Sequence, residues 1–421
     1  MVSVTRVHSL EDVLESKNAK LWLQSEGLAD NTVEVIDSAM QWLIAQPKQE
    51  ELLSPLDNDH TRQGLLIIEI LLELHMDDDS LIAALLYPFF ESQAHDNKVK
   101  DKLKKQFGKQ IFDLLTGVTK MASMGLLSSR VKHSTEQAEN IRRMLTAMVE
   151  DVRAVVIKLA QQIVFLREIK KSDEETRVLA AKETQNIYAP LANRLGIGQL
   201  KWELEDYAFR YLQPDVYMDI AKRLEEKRTE RHQYLEDFVE NLTQRLNDSG
   251  IKSKVYGRPK HIYSIYKKMQ KKGYDFSQLF DIRAVRVVTE KLPDCYSSLG
   301  VVHTSWRHIP SEFDDYVATP KPNGYQSIHT VVLGPEGKPI EIQIRSQDMH
   351  DDAELGVAAH WQYKEGTLPT KTDKGSSYED KIAWLRKLLQ WQDEMADTGD
   401  FAEELRNQVV EDRVYVFTPQ G

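Results

Sequence analysis

The chain has 421 residues, a net charge of −11 and a single cysteine, Cys295. At about 150 residues per domain, the length suggests two or three domains. One cysteine excludes an internal disulfide and a cysteine-rich zinc site, and the acidic balance means that an anionic substrate must be met by a local basic patch. No apolar run of about 18 residues occurs, so no membrane span is expected. The N-terminus carries early acids and no apolar core, which is not the pattern of a signal peptide, and the chain reads as cytoplasmic.

Residues 1 to about 245 read as nearly all helix. Leu65, Leu66, Ile68, Leu71 and Leu72 recur at helical spacing, and Leu81, Ala84 and Leu85 repeat the pattern. Val152, Val155, Val156, Leu159, Ile163 and Leu166 share the period, with Asp151 placed to cap or charge that helix. Tyr188-Ala189-Pro190 and then Gly196-Ile197-Gly198 break the pattern, and residues 215–245 form a long charged helical stretch read as a linker packed on one face. The character changes near Gly250. Strands are predicted at Lys254–Tyr256, Ile282–Val288, Thr330–Leu333 and Ile340–Ile344, with helices at 260–272, 294–302 and 348–364. This is one α+β domain. Residues 366–378 are polar and Gly/Ser/Thr-rich and read as a loop. A helix with Trp384, Leu385, Leu388, Leu389 and Trp391 follows, and Arg413–Gly421 reads as a strand that stops inside a further domain.

No P-loop, HExxH or GxSxG pattern is present, so the chemistry is sought in less standard clusters. In the helix 260–272, Ile262, Ile265, Tyr266 and Met269 fall on one face, and Lys260, Ser264, Lys268 and Lys271 on the opposite stripe. Preceded by Tyr256-Gly257-Arg258-Pro259, this is either a triphosphate cradle or a solvated basic face. The strand Ile340–Arg345 sends its isoleucines one way and Glu341, Gln343 and Arg345 the other. With Asp281 opening a neighbouring strand, Glu341 suits a Mg²⁺ site; the bland alternative is an exposed sheet face. Asn323-Gly324 is a tight turn presenting Tyr325, with His329 in the next strand. That tyrosine either stacks on a base or packs in a hairpin. Glu312-Phe313-Asp314-Asp315 is an acidic cluster. His350 and Glu354 share a helix face, but helix packing explains them better than a metal.

In this order, the stretches YGRPKHIYSIYKKMQ, LFDIRAVRVV, DDYVATPKPNGYQSIHT, EIQIR and AELGVAAHWQYKE resemble the synthetase domain of the RelA/SpoT family, and the resemblance runs over essentially the whole chain. It implies a multidomain architecture: an all-α, degenerate HD-type domain followed by an α+β nucleotidyltransferase-like synthetase domain. The implied divisions are an inactive HD-like domain at 1–195, a helical linker at 196–250, the synthetase domain at 251–392, and a helix with the truncated start of a TGS domain at 393–421. The implied activity is pyrophosphate transfer from ATP to the 3′-OH of GDP or GTP, making the alarmone (p)ppGpp of the stringent response and releasing AMP.

The resemblance also implies roles. Asp281 and Glu341 would hold Mg²⁺, with Glu341 as base. Arg258 would stack on adenine, Lys260, Ser264 and Lys268 would hold ATP phosphates, Tyr325 with Asn323 would take guanine, and His329 would line the acceptor site. Where hydrolase relatives carry Mn²⁺ ligands, this chain has Tyr87-Pro88, Glu91-Ser92 and Gln161, with Gln63 near the first histidine. These side chains cannot replace that set, so hydrolysis is expected to be absent. Glu312, Asp314 and Asp315 stand where bifunctional relatives have Arg-x-Lys-Asp. Two acids for two cations beside the acceptor phosphates imply altered metal demand, a second Mg²⁺ and a preference for GDP. Ribosome and uncharged-tRNA sensing would reside in a C-terminal part beyond this sequence.

Overall fold

The computed structural model describes residues 19–46, 59–93, 95–130, 151–226, 228–258, 260–273, 276, 283–321 and 323–358. The predicted elements at 366–378, Trp384–Trp391 and Arg413–Gly421, the end of the helix predicted at 348–364, and Asp281 itself lie outside them. Fourteen helices and six strands are described: α1 Ala19–Ser25, α2 Asp30–Ile44, α3 Asp59–Glu73, α4 Asp78–Ser92, α5 Asn97–Arg130, α6 Val152–Glu168, α7 Glu174–Glu183, α8 Ala189–Arg194, α9 Gly198–Leu212, α10 Pro214–Glu226, α11 Arg228–Asp248, β1 Ser253–Gly257, α12 Ile262–Lys272, β2 Ala284–Thr289, α13 Leu292–Ser305, β3 Arg307–His308, β4 Asp314–Asp315, β5 Ile328–Leu333, β6 Pro339–Ser346 and α14 Gln347–Leu355. None of the described helices is long and apolar enough to cross a membrane. The described residues form two compact units, 27–71 with 77–158, and 19–26 with 72–76 and 159–358.

The first unit is helical. Leu65, Ile68 and Leu71 are buried as their spacing predicts, and α4 is apolar all round, every residue from Ser80 to Phe90 being buried. Gly64 lets α3 approach α4: a Cβ there would lie 2.6 Å from the Leu85 carbonyl oxygen. The Asp77 side chain caps α4, accepting from Ser80 N–H at 2.8 Å, and pairs with Arg153 at 2.7 Å. Asp151 accepts the Arg153 N–H at 2.9 Å, the predicted cap of α6.

The second unit joins helices α7–α10 to the α+β region. Tyr188-Ala189-Pro190 does not break the chain's helical course as expected: a π-helical turn, Thr184–Tyr188, runs directly into α8, whose first turn accommodates Pro190. The stretch read as one helix at 215–245 is two, α10 and α11. The second of these is a layer of the sheet domain rather than a linker surface, because Phe238, Leu242 and Leu246 pack into the sheet's core.

That sheet is mixed, in the order β1-β2-β6-β5-β3, with β4 also on β5. β2 and β6 are parallel, and the other pairs are antiparallel. One face is apolar: Val285, Val287, Ile328, Val332, Ile340, Ile342 and Ile344 pack with α11 and with Cys295 and Val302 of α13. Burying each such aliphatic side chain contributes about 1.5–3 kcal/mol. The alternation then sends the polar residues of β6 to the opposite face. A second small core of Phe209, Ile220, Ile265 and Phe276, with Tyr266 and Met269, fastens α12 to α9 and α10.

The turn Gly196–Gly198 seats the end of α14. Gly356 has φ +55°, and a Cβ on it would lie 2.3 Å from the Leu195 carbonyl oxygen; one on Gly198 would lie 2.5 Å from that of Ala353. Val357 N–H donates to Leu195 at 3.0 Å. The glycine break read from sequence is therefore a point of backbone-to-backbone contact.

Candidate active site

The polar face of the sheet is laid out by register. Tyr256, Arg286, Gln343 and His329 stand side by side across β1, β2, β6 and β5, with Asp314 beyond on β4. Glu341 lies one step along β6, beside Ala284 and Val331. Small neighbours leave its carboxylate room. Its Oε1 accepts from Gln343 Nε2 at 3.4 Å, while its Oε2 is buried without a hydrogen-bond partner among the described residues. Burial alone would raise its pKa. Lys260 first, with the cations Arg258 and Lys268 and the nearby His329 ring, outweighs that and brings it down to about 2.

The cations come from the β1–α12 connection. Arg258 continues from β1, its N–H donating to Ala284 at 2.7 Å, and its guanidinium lies 4.8 Å over the Trp202 ring. Burial, Arg286 and Arg345 all disfavour its charge. Lys260 is lowered to about 8, first by burial and then by Lys268 and Arg258, against the pull of Glu341. The helix opens at Ile262, later than the proline predicted, and its cap comes from another helix. Asp206 of α9 accepts the Tyr263 N–H at 2.8 Å and sits 3.4 Å from His261 Nδ1, and His261 stacks on Trp202 at 5.5 Å. The predicted apolar face of α12 is buried in the small core, and Ser264 is half-buried.

Ahead of β5, Gly324 has φ +81° and makes the predicted turn. Asn323 spends its amide within the protein, accepting the Tyr325 N–H at 3.2 Å and donating to the Asn193 carbonyl at 3.3 Å. Tyr325 lies under the Arg345 guanidinium, 4.8 Å away, and its hydroxyl bonds both Arg345 and His329 Nε2, the latter at 2.9 Å. His329 Nδ1 is 3.7 Å from Glu341 Oε1. Burial first, then Arg345, Lys321 and Arg258, lower His329 to about 3, so this contact is a neutral imidazole facing a carboxylate, not an ion pair. Arg345 is fully buried and shares Glu354 of α14 with Arg286, at 3.4 and 2.7 Å. The packing role anticipated for Glu354 is thus an ionic one.

The acidic cluster divides. Glu312 reaches α12, pairing with Lys268 at 3.4 Å and with Lys272, and these lysines hold its pKa down against burial. Its charge is thus matched by lysines of α12. Asp315 closes a turn, accepting from Val317 and Ala318 N–H at 3.0 and 2.9 Å. Asp314 is exposed and opposite His329.

Arg258, Lys260, Lys268, His329 and Glu341 thus come together as named from sequence. Trp202, Asp206 and Lys272 were missed, and Glu354 was named without its arginine partners. The partners of the first three are tens of residues away in the chain, and only Trp202, a large aromatic amid helical charges, offered a signal.

In the helical half, Tyr87 is fully buried and donates its hydroxyl to Glu91 at 2.6 Å. Pro88 lies inside α4, and Ser92 donates to the Phe89 carbonyl at 2.7 Å. Gln161 is half-buried on α6.

A helical half followed by a mixed sheet whose charged face meets a lysine-bearing helix is an HD-type domain preceding an α+β domain of nucleotidyltransferase-like class. Comparison with known proteins agrees. The model for an HD domain matches residues 42–198, and that for the region found in RelA / SpoT proteins matches residues 257–368. GTP pyrophosphokinase of Escherichia coli K12 is 59% identical over 361 residues, 85% of this chain and 48% of the relative. That of Photobacterium angustum is 58% identical over 361 residues, again 85% and 48%. That of Myxococcus xanthus is 41% identical over 352 residues, 84% and 45%. The chain belongs to the RelA/SpoT family. It spans about half the length of the curated relatives it matches.

Proposed function

We propose that the chain transfers pyrophosphate from ATP to the 3′-OH of GDP or GTP, acting in the cytoplasm as a (p)ppGpp synthetase. The observation that carries this reading is Glu341: a buried carboxylate kept ionised by surrounding cations, with one oxygen lacking a partner. In the proposed step the acceptor 3′-oxygen attacks the β-phosphorus of ATP and its proton passes to Glu341. The bond from the β-phosphorus to the α–β bridging oxygen breaks, and AMP leaves with that oxygen. Arg258 stacks on adenine, and Lys260, Ser264 and Lys268 hold the phosphates. Tyr325 packs on guanine, Asn323 shapes its turn, and His329 lines the acceptor. Such transfer depends on positioning and charge neutralisation more than on covalent help.

The donor set fits a divalent metal, because the orphaned Oε2 is the hard oxygen that Mg²⁺ accepts. Glu341 and Asp281 would hold it, and bound there it supplies neutralisation of phosphate charge. Within the acid motif, Asp314 and Asp315 set the balance between GDP and GTP, while Glu312 is held by Lys268 and Lys272. The divisions at 195 and 392 are proposed as domain limits, with α11 counted in the sheet domain because its apolar face lies in the sheet's core, and ribosome and uncharged-tRNA contacts are proposed for the rest of the protein. Tyr87, Pro88, Ser92 and Gln161 support a helical domain without hydrolase activity.

ATP labelled with ³²P at the β position tests the reaction type. Pyrophosphate transfer puts the label in the guanine nucleotide and none in AMP. Label retained in ADP would mean simple phosphate transfer and would overturn the reading.

A further inference from the structure

We propose that the Tyr325 hydroxyl and the Arg345 guanidinium are positioning groups that set the tautomer of His329, so that its Nδ1–H faces the Glu341 carboxylate and leaves Oε2 for the reacting centre. The kinetic consequence rests on the pyrophosphate-transfer reading; the tautomer does not.

The donor and acceptor inventory favours one arrangement, because His329 Nε2 is the only acceptor within reach of the phenol proton among the described residues. A guanidinium only donates, so Tyr325 Oη accepts the bond from Arg345. The phenol proton then goes to its other neighbour, His329 Nε2 at 2.9 Å. An imidazole nitrogen that accepts carries no proton, so the one N–H of the neutral ring sits on Nδ1. That nitrogen lies 3.7 Å from Glu341 Oε1, beyond a hydrogen bond but close enough for the N–H dipole to hold the carboxylate rotamer. Gln343 reaches the same oxygen at 3.4 Å. Both neighbours therefore address Oε1, and Oε2 is the oxygen left buried and unpartnered. Arg345 is itself fixed at its other end by Glu354. With the opposite tautomer a nitrogen lone pair would face Oε1, and the carboxylate would turn away.

Tyr325→Phe separates this role from base stacking, since it keeps the ring and removes only the hydroxyl. Protein labelled with ¹⁵N-histidine, with the His329 signals assigned by their loss in His329→Asn, reports the tautomer directly. The wild-type ring is expected to be protonated on Nδ1, and Tyr325→Phe to shift protons to Nε2. The same variant is expected to lower kcat by about tenfold, the loss of one positioning hydrogen bond, with acceptor KM held within about twofold because stacking remains. An Nε2-protonated His329 in the wild type, or a Tyr325→Phe enzyme with unchanged kcat and tautomer, would overturn the proposal. A wild-type chain with no transfer activity would overturn the functional reading, and the spectrum alone would then decide the tautomer.

Discussion

Glu312→Gln removes a carboxylate that bridges Lys268 and Lys272. The side chains are 12% exposed for Glu312 and 20% and 31% for the lysines, so the pairs are partly screened. At roughly 0.2–1 kcal/mol each, the two together contribute about 1 kcal/mol. If Lys268 takes a phosphate of ATP, this pairing must be at least partly surrendered when ATP binds. Its removal should tighten ATP binding by about fivefold, the factor that about 1 kcal/mol corresponds to. The same change should lower the melting temperature by about 2–4 °C. Isothermal titration with a non-hydrolysable ATP analogue, at low and high salt, measures the first effect, and the gain should shrink as salt screens the lysines. The GDP KM should move by less than about twofold, because Glu312 points at the donor helix. Unchanged or weaker ATP binding, or an effect confined to the acceptor, would refute this reasoning and restore the acceptor-side role read from sequence.

Gly356→Ala forces a side chain into a left-handed backbone and against the Leu195 carbonyl, with the added Cβ at 2.3 Å. It should cost about 2–4 kcal/mol, read as a lower urea midpoint, whereas Gly250→Ala, also at positive φ but with open space around it, should cost about 1 kcal/mol. Metal-free ATP binding should weaken as pH rises through about 8, where buried Lys260 loses its proton. Lys260→Arg should flatten that profile, and an unchanged slope would remove Lys260 from the donor site. Because the lysine's folded pKa lies below its ordinary 10.5, the unfolded chain binds the extra proton between about 8 and 10.5 and this group's contribution makes stability rise with pH across that window. With Mn²⁺ and ppGpp, the chain should release no pyrophosphate, since Tyr87 and Pro88 offer no ligand; metal-dependent release would contradict a silent helical half.

Local periodicity carried most of what the sequence revealed. The buried stripe of α6 and the division of β6 into isoleucines and Glu341, Gln343 and Arg345 follow from side-chain geometry within one element. The lysine stripe of α12 was legible for the same reason. What escaped depends on distant partners. Nothing near Asp206 announces that it caps α12, and nothing near Glu354 announces two buried arginines. β3 and β4 are two residues each, too short to alternate. The length and charge of residues 215–245 suggested a linker. Phe238, Leu242 and Leu246, at helical spacing, marked the face that joins the sheet, and Tyr234, Leu235 and Val239 pack beside them. Asn323 is instructive too: its amide oxygen is taken by its own turn, which the sequence left open beside a base contact, but its NH2 goes to the Asn193 carbonyl, a partner 130 residues away that nothing local announces.

The most direct test of the account is chromatography of nucleotides after mixing the chain with ATP, GDP or GTP and Mg²⁺, beside Glu341→Gln. The account predicts AMP with ppGpp or pppGpp from the wild type and none from a folded, ATP-binding Glu341→Gln variant. Equal product from both would contradict the assignment of Glu341. No product from a folded, ATP-binding wild-type chain would contradict the assignment of the reaction to these residues on their own.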